Sequence, residues 1–441
     1  MKARARLVAL RVRAVLARAL AHAVMRVLPP HAQSLVAGLP DSEENSLVTA
    51  IALARRTRGR VLLVANDPAH AREQLDRVAE VLDAASPEAR QSAVVGGRTA
   101  REAADVVVVV PKKGVATFLE FLRSAVVAYT HGLYDSPRPA GRRLHVNLWH
   151  GSGPKWNANA KQSVRVGADL LAANNEPWGR ETARALAMPP GTRILPGNPR
   201  QDVMLAAATA PRATTREALA RLGLDPDAPV LLWMPTFRTS ARAGRVGLRE
   251  GQPFGEMSDP VLEAIAARCS ATGVQLVLKT HRHDDDDYTR LGAHVLTTED
   301  VLDAGLTLYE LIGLADAMLS DYSSVWVDFL ATGRTVALHC PDLAEYERER
   351  GLNAPPLREV AGGLLLTSPD DAVELVADVA ARRVFRSGEL AATRSALGVT
   401  LPGPGGRTLA DALLDELAAL ATERFGANAF FAPQRSARTS S

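Results

Sequence analysis

Four short apolar runs in this chain each end on residues that can do chemistry. LHVNLW (144–149) runs into His150, Gly151 and Lys155, and VLLWMP (230–235) into Thr236 and Arg238. VQLVL (274–278) runs into Lys279, Thr280 and His281, and AMLS (317–320) into Asp321, Tyr322, Ser323 and Ser324. A core strand prefers apolar ends, whereas open α/β sheets bind ligands beyond the carboxyl ends of their strands. The residue types suit phosphate chemistry. A neutral imidazole, with an ordinary pKa of about 6.5, can take a proton from a hydroxyl nucleophile at neutral pH. Serine hydroxyls and free backbone N–H groups at a helix start favour an anion, and lysine or arginine offsets its charge. Taken alone, the elbow from Asp321 to Ser324 fits a plain helix cap equally well.

The elements that must position these ends alternate along the chain. SLVAGL (34–39), RVLLVAN (60–66), DVVVVV (105–110), AVVAYT (125–130) and 144–149 read as strands, and DVVVVV as one buried on both faces. Helices are predicted at 46–56, after Asp67 and Pro68, and at 117–123. The pattern restarts at Pro229, with strands at 230–237, 274–281 and 317–320, another from Thr335, and GGLLLT (362–367). Val325, Phe329 and Leu330 recur at helical spacing behind the serines, and Gly333 stands where a helix C-terminus favours glycine. Repeated βα units imply parallel, doubly wound sheets. The expected organisation is an α/β chain with an N-terminal basic amphipathic helix (1–30), two Rossmann-like domains (31–205 and 206–400), a C-terminal helix (401–425) and a disordered tail (426–441). Two such sheets facing a cleft would bring His150 from one half against His281 and the serines from the other.

A 441-residue chain with 47% apolar residues can bury two cores. Its 52 basic residues nearly balance 49 acidic ones and only 5% of residues are aromatic, which argues against a nucleic-acid surface. Cys269 and Cys340 sit in apolar contexts without a CxxC, as expected for reduced thiols in the cytosol. Residues 1–28 hold six arginines, one lysine and no acid. Their apolar residues are interrupted too often to span a bilayer and form no signal-peptide core, but they suit an anionic membrane surface. The aspartates at 284–287 lack spaced partners, so no metal site is expected. His131, just after the strand 125–130, is placed to line an acceptor side.

NLWHGSGPKW (147–156) resembles the WHG signature of the CDP-glycerol glycerophosphotransferase family, the teichoic-acid primases and polymerases. Five more stretches match that family in order: PGNPRQD (196–202), MPTFR (234–238), LVLKTH (276–281), SDYSSVWVDF (320–329) and DLAEYERERG (342–351). The resemblance implies a GT-B-like fold and a transfer of glycerol phosphate, or a related polyol phosphate such as ribitol phosphate, from a CDP-activated donor. The acceptor would be a hydroxyl of a lipid-linked teichoic-acid-like or capsular polymer, and CMP would be released. His150 then matches the general base, and His281 lies at the donor phosphates. Ser323, Ser324, Asp321, Arg238, Thr236, Lys279 and Arg350 become candidate donor-binding residues, with Asp321 orienting its loop. Gly151, Lys155 and His131 fall on the acceptor side. The resemblance implies no cofactor and a peripheral location at the cytoplasmic face of the membrane. Ser152, Asn198 and Arg282 depart from the family pattern, and these departures bear on the identity of the donor. The alternative reading is a GT-B glycosyltransferase that uses a nucleotide sugar for cell-envelope polysaccharide.

Overall fold

The computed structural model describes residues 2–57, 59–85, 98–156, 165–236, 259–280, 288–399, 401 and 407–426; side chains at 2–11, 289, 349 and 350 fall outside it. Two parallel sheets carry the fold. The first contains β1 (His31–Ala37), β2 (Arg60–Ala65), β3 (Val107–Pro111), β4 (Ser124–Tyr129), β5 (Leu144–Leu148), β6 (Leu170–Ala173) and β7 (Arg193–Pro196), in the order β3-β2-β1-β4-β5-β6-β7. The second contains β8 (Val230–Trp233), β9 (Gln275–Lys279), β10 (His294–Leu296), β11 (Ala317–Ser320) and β12 (Thr335–Leu338), in the order β10-β9-β8-β11-β12. All neighbouring pairs are parallel. The chain is therefore an α/β protein of GT-B-like architecture.

Each sheet reverses its strand order once, between β1 and β4 and between β8 and β11. At such a reversal the flanking loops diverge and open a crevice at the carboxyl edge. Thr236 and the Asp321–Ser324 elbow follow β8 and β11, and His131 follows β4. Interior strands are rich in aliphatic residues because helices cover both faces; Leu35, Val36, Val127, Leu144 and Val146 are all buried, although β1 also buries Gln33 and Ser34 and β5 also buries His145 and Asn147. β3 departs from that expectation. It is an edge strand, and Val108 is 41% exposed, so its valines satisfy one face only. GGLLLT also departs: Gly362–Leu364 is a 3-10 turn, and Leu365 makes a single bridge to Leu338.

The helix Glu44–Arg56 is buried over nearly its whole length, because the last described helix, Leu409–Phe425, crosses back to cover it. Leu413, Leu414 and Leu417 are fully buried there, each worth about 1.5–3 kcal/mol. Asp202 accepts from Leu409 N at 2.8 Å and Ala410 N at 2.9 Å, and Arg56 pairs with Asp415 at 2.5 Å. Helix Leu409–Phe425 is thus fastened to the first domain, although it follows the second in sequence.

The first helix runs Lys2–Val27. Ala21 and Met25 are buried, and Arg143, itself 1% exposed, donates to the Met25 carbonyl at 2.7 Å and the Leu28 carbonyl at 2.6 Å. Charge and hydrogen bonds at the C-terminal turn therefore anchor it. Further out, Val12, Val15, Leu16 and Leu20 are exposed beside Arg13, so its described surface mixes apolar and basic residues. Among the described residues no helix is long and apolar enough to cross a membrane. Cys269 and Cys340 are buried.

Candidate functional site

The loops after β8 and β11 leave the second sheet as a pair. Ser320 Oγ donates to the Met234 carbonyl at 2.8 Å, and Met234 N donates to the Leu319 carbonyl at 2.9 Å. Asp321 locks them together. Its carboxylate accepts from Thr236 N at 2.9 and 3.0 Å, from Thr236 Oγ1 at 2.7 Å and from Ser323 N at 3.1 Å. The buried Tyr322 ring stacks on Tyr346 at 3.7 Å, and its hydroxyl donates to Asp342 at 2.9 Å. Ser323 and Ser324 remain half-buried above this base, and Ser324 makes no side-chain cap. The helix behind them spans only Val325–Phe329 before a 3-10 turn that closes at Gly333, whose φ is 72°. A helix this short develops little macrodipole. An anion here depends on hydroxyls and individual N–H groups more than the sequence implied.

His150 comes from the opposite domain. Asn147 on β5 donates through Nδ2 to the Tyr129 carbonyl at 3.2 Å and the Thr130 carbonyl at 2.7 Å, which fixes the end of β4. That places the His131 ring parallel to His150, 4.3 Å away at 6°, with Trp149 4.3 Å from His150. His150 is exposed, with its ring against those of His131 and Trp149. Loss of bulk water, with His131, Arg200 and Lys155 nearby, holds its pKa well below the usual histidine value. Burial and Lys112 lower that of His131 as well. The shift favours the neutral imidazole and makes His150 a weaker base than an ordinary histidine.

The two loops touch. A Cβ built on Gly151 would fall inside contact distance of Ser324 Oγ, and one on Gly153 would lie 2.8 Å from Ser324 Cα. A side chain at Gly153 would have to move the elbow itself, and one at Gly151 would first displace the Ser324 hydroxyl. Asn353, just past the DLAEYERERG segment, donates to the Gly153 carbonyl at 2.7 Å and the Lys155 carbonyl at 3.0 Å. Lys155 bridges Leu352, and Trp156 N donates to the Gly351 carbonyl at 3.3 Å.

The structure thus brings His150, Gly151, Lys155, His131, Ser323, Ser324, Asp321 and Thr236 to one crevice. Lys279 is buried and turned aside: its Nζ donates to the Thr280 carbonyl at 2.8 Å and to Thr298 Oγ1 at 3.1 Å, and burial lowers its pKa. His281, Arg238 and the aspartates 284–287 lie outside the described residues, as does the Arg350 side chain.

Sequence reasoning missed the buried polar group beneath the crevice. Arg200 donates to the His150 carbonyl at 2.7 Å, to Glu43 at 3.3 Å and to Asp328 at 2.8 Å. Burial opposes its charge, but Asp328, Tyr309 and Glu43 outweigh that and hold its pKa above the usual value. Burial pushes Glu43 up to about 7 against the pull of Arg200. The available signal was an acid in a wholly apolar helix, VWVDF, since a buried carboxylate requires partners.

Two facing parallel-sheet domains, with a histidine loop of one seated on a serine elbow of the other, define a transferase-like cleft. Residues 52–396 match the family described as CDP-Glycerol:Poly(glycerophosphate) glycerophosphotransferase, and the chain belongs to that family. It is 31% identical over 127 residues to the teichoic acid ribitol-phosphate primase of Bacillus spizizenii; the match covers 28% of this chain and 29% of the primase. It shares its fold with the wall teichoic acid polymerase TagF, at a TM-score of 0.59 and 16% identity over 96% of this chain and 99% of that one. A TagF variant soaked with CDPG matches at a TM-score of 0.58 and 16% identity, over 89% of this chain and 90% of that one.

Proposed function

We propose that this protein moves a polyol phosphate, glycerol phosphate or ribitol phosphate, from a CDP-activated donor to a hydroxyl of a lipid-linked teichoic-acid-like or capsular acceptor. The observation that carries this reading is the seating of Gly151 and Gly153 on Ser324, which sets a neutral histidine beside an elbow of hydroxyls and N–H groups. The second domain holds the donor, with Ser323 and Ser324 on the pyrophosphate and Asp321 and Thr236 fixing their loop. The first binds the acceptor beside His131 and Lys155. The acceptor oxygen attacks the β-phosphorus, and its proton passes to His150. The bond from that phosphorus to the CMP oxygen breaks, and CMP leaves with the electron pair. His281 and Arg238 stabilise the charge that develops on the donor phosphates, in the roles the family resemblance gives them.

The first helix holds the protein at the inner membrane face, where a lipid-linked acceptor is found. Val12, Leu16 and Leu20 form an exposed stripe at helical spacing, within a segment that has six arginines and no acid. The test is a screen of CDP-glycerol, CDP-ribitol and UDP-sugars with lipid-linked acceptor, read by nucleotide release. CMP should appear with a CDP-polyol and disappear in both His150→Ala and His281→Ala. CMP release surviving in both variants would overturn the assigned roles. Use of a UDP-sugar with no response to CDP-polyols would mark a glycosyltransferase instead.

A further inference from the structure

We propose that Asp328 is a positioning residue that holds the His150 loop against the donor elbow, acting through Arg200 and Asn174. The inference rests on His150 being the base of the proposed transfer. Asp328 lies four residues after Ser324, one turn along the same short helix, and is 0% exposed. Its carboxylate accepts from Arg200 Nη2 at 2.8 Å and Nε at 3.2 Å, from Tyr309 Oη at 2.5 Å and from Asn174 Nδ2 at 2.7 Å.

Two of those partners reach across to the histidine loop. Arg200 Nη1 donates to the His150 carbonyl at 2.7 Å. Asn174 Oδ1 accepts from Ser152 N at 2.6 Å. The loop is therefore gripped on both sides of Gly151, and both grips converge on one carboxylate of the opposite domain. The same helix carries Ser324 at its start, where Gly151 and Gly153 rest. Donor elbow and base loop are thus parts of one rigid unit. Glu43 steadies the arrangement from the β1 loop through Arg200 Nη1 at 3.3 Å. All four of these side chains, Asp328, Arg200, Asn174 and Glu43, are buried rather than exposed as a base or an anion ligand would be. Their part is to fix where His150 stands.

Two variants test this. Arg200→Lys keeps the charge beside Asp328 but cannot span from it to the His150 carbonyl. Asn174→Ala leaves the Arg200–Asp328 pair whole and removes only the second grip. Three quantities are read on the full chain: amide exchange across 147–153, CDP affinity by calorimetry, and kcat for CMP release per folded molecule. Exchange at Ser152 should quicken ~10-fold or more in both variants, because a buried amide loses its acceptor or its support. CDP affinity should stay within about 3-fold, while kcat drops ~100-fold in Arg200→Lys and ~10-fold in Asn174→Ala, the scale of a base displaced by a fraction of an ångström to one ångström. Unchanged exchange in Asn174→Ala would overturn the proposal. So would a loss of CDP affinity in step with kcat, which marks a network that only holds the second domain together. If Arg200→Lys fails to fold, Asn174→Ala decides alone. Faster exchange in a protein whose parent releases no CMP from any CDP-polyol would uphold the grip on the loop and refute the proposed reaction.

Discussion

Gly153→Ala probes the contact on which the proposed chemistry depends. A Cβ at Gly153 meets Ser324 Cα and Cβ at 2.8 Å and Ser324 N at 3.2 Å. Carbon atoms rest about 3.5–4.0 Å apart, so one loop must retreat by roughly 0.7–1.2 Å. No rotamer of Ser324 relieves this, because the colliding atoms are Cα and Cβ. Displacing a base by about 1 Å costs on the order of 100-fold in rate, or ~2.7 kcal/mol of barrier. The overpacking itself costs about 1–3 kcal/mol of stability. Gly151→Ala differs, since its first collision is with Ser324 Oγ and Ser324 Cβ lies at 3.1 Å. Adding Ser324→Ala should therefore restore most of the loss in Gly151→Ala, measured against Ser324→Ala alone, and none of the loss in Gly153→Ala. The assay is kcat for CMP release, normalised to the folded fraction by thermal melting. Activity of Gly153→Ala within about 3-fold of the parent, or equal rescue of both variants, would refute the claim that the two loops form one site; the 3-fold margin is small beside the expected 100-fold.

Three further outcomes follow from the geometry. In the proposed reaction the base is neutral His150, so the rate should fall as pH drops through its pKa; burial, His131, Arg200 and Lys155 hold that pKa low. His131→Phe keeps a ring against His150 and removes a positive charge at low pH, so the acid limb of the pH–rate profile should move to higher pH; an unmoved limb would show that the stack is only packing. Burial raises Glu43 to about 7 from 4.5, so the folded state holds an extra proton between those values and stability falls as pH rises across that window, by up to about 3 kcal/mol. Glu43→Gln should flatten that slope in melts between pH 5 and 7.5, and an unchanged slope would assign it to other groups. Leu16→Glu with Leu20→Glu should release the protein from anionic vesicles without shifting its melting temperature; retained binding would exclude this stripe as the membrane contact.

How much of the site could be read from the sequence depended on where each residue's partner lies. Thr236, Asp321 and the serines follow apolar strands within a few residues, and the local pattern places them at the sheet edge. The edge position of β3 could not be read, because DVVVVV looks the same with one face covered or two. GGLLLT misled for a related reason: apolar residues over a 3-10 turn resemble a short strand. The return of Leu409–Phe425 to the first domain depends on Asp202 and Arg56, which are far from it in sequence, and the PGNPRQD motif that contains Asp202 does not point to this helix. Arg200 sits in a turn-rich PGNPRQD that suggests a surface loop, yet it is 5% exposed.

The buried ions say most about what the architecture is for. Taking Arg200 and Asp328 out of water costs several kcal/mol per charge, and their mutual attraction roughly returns it. Apolar residues of the same volume would join the domains at least as firmly. What they would not supply is direction: Arg200 donates at once to a carboxylate of one domain and to the His150 carbonyl of the other. The glycines argue the same way, since removing side chains at 151 and 153 gives up packing area to let a backbone approach Ser324. Both features spend stability on a fixed distance between the histidine and the elbow. That choice fits a reaction limited by the placement of a weak, neutral base, and it does not fit a cleft whose two loops meet only when the domains close.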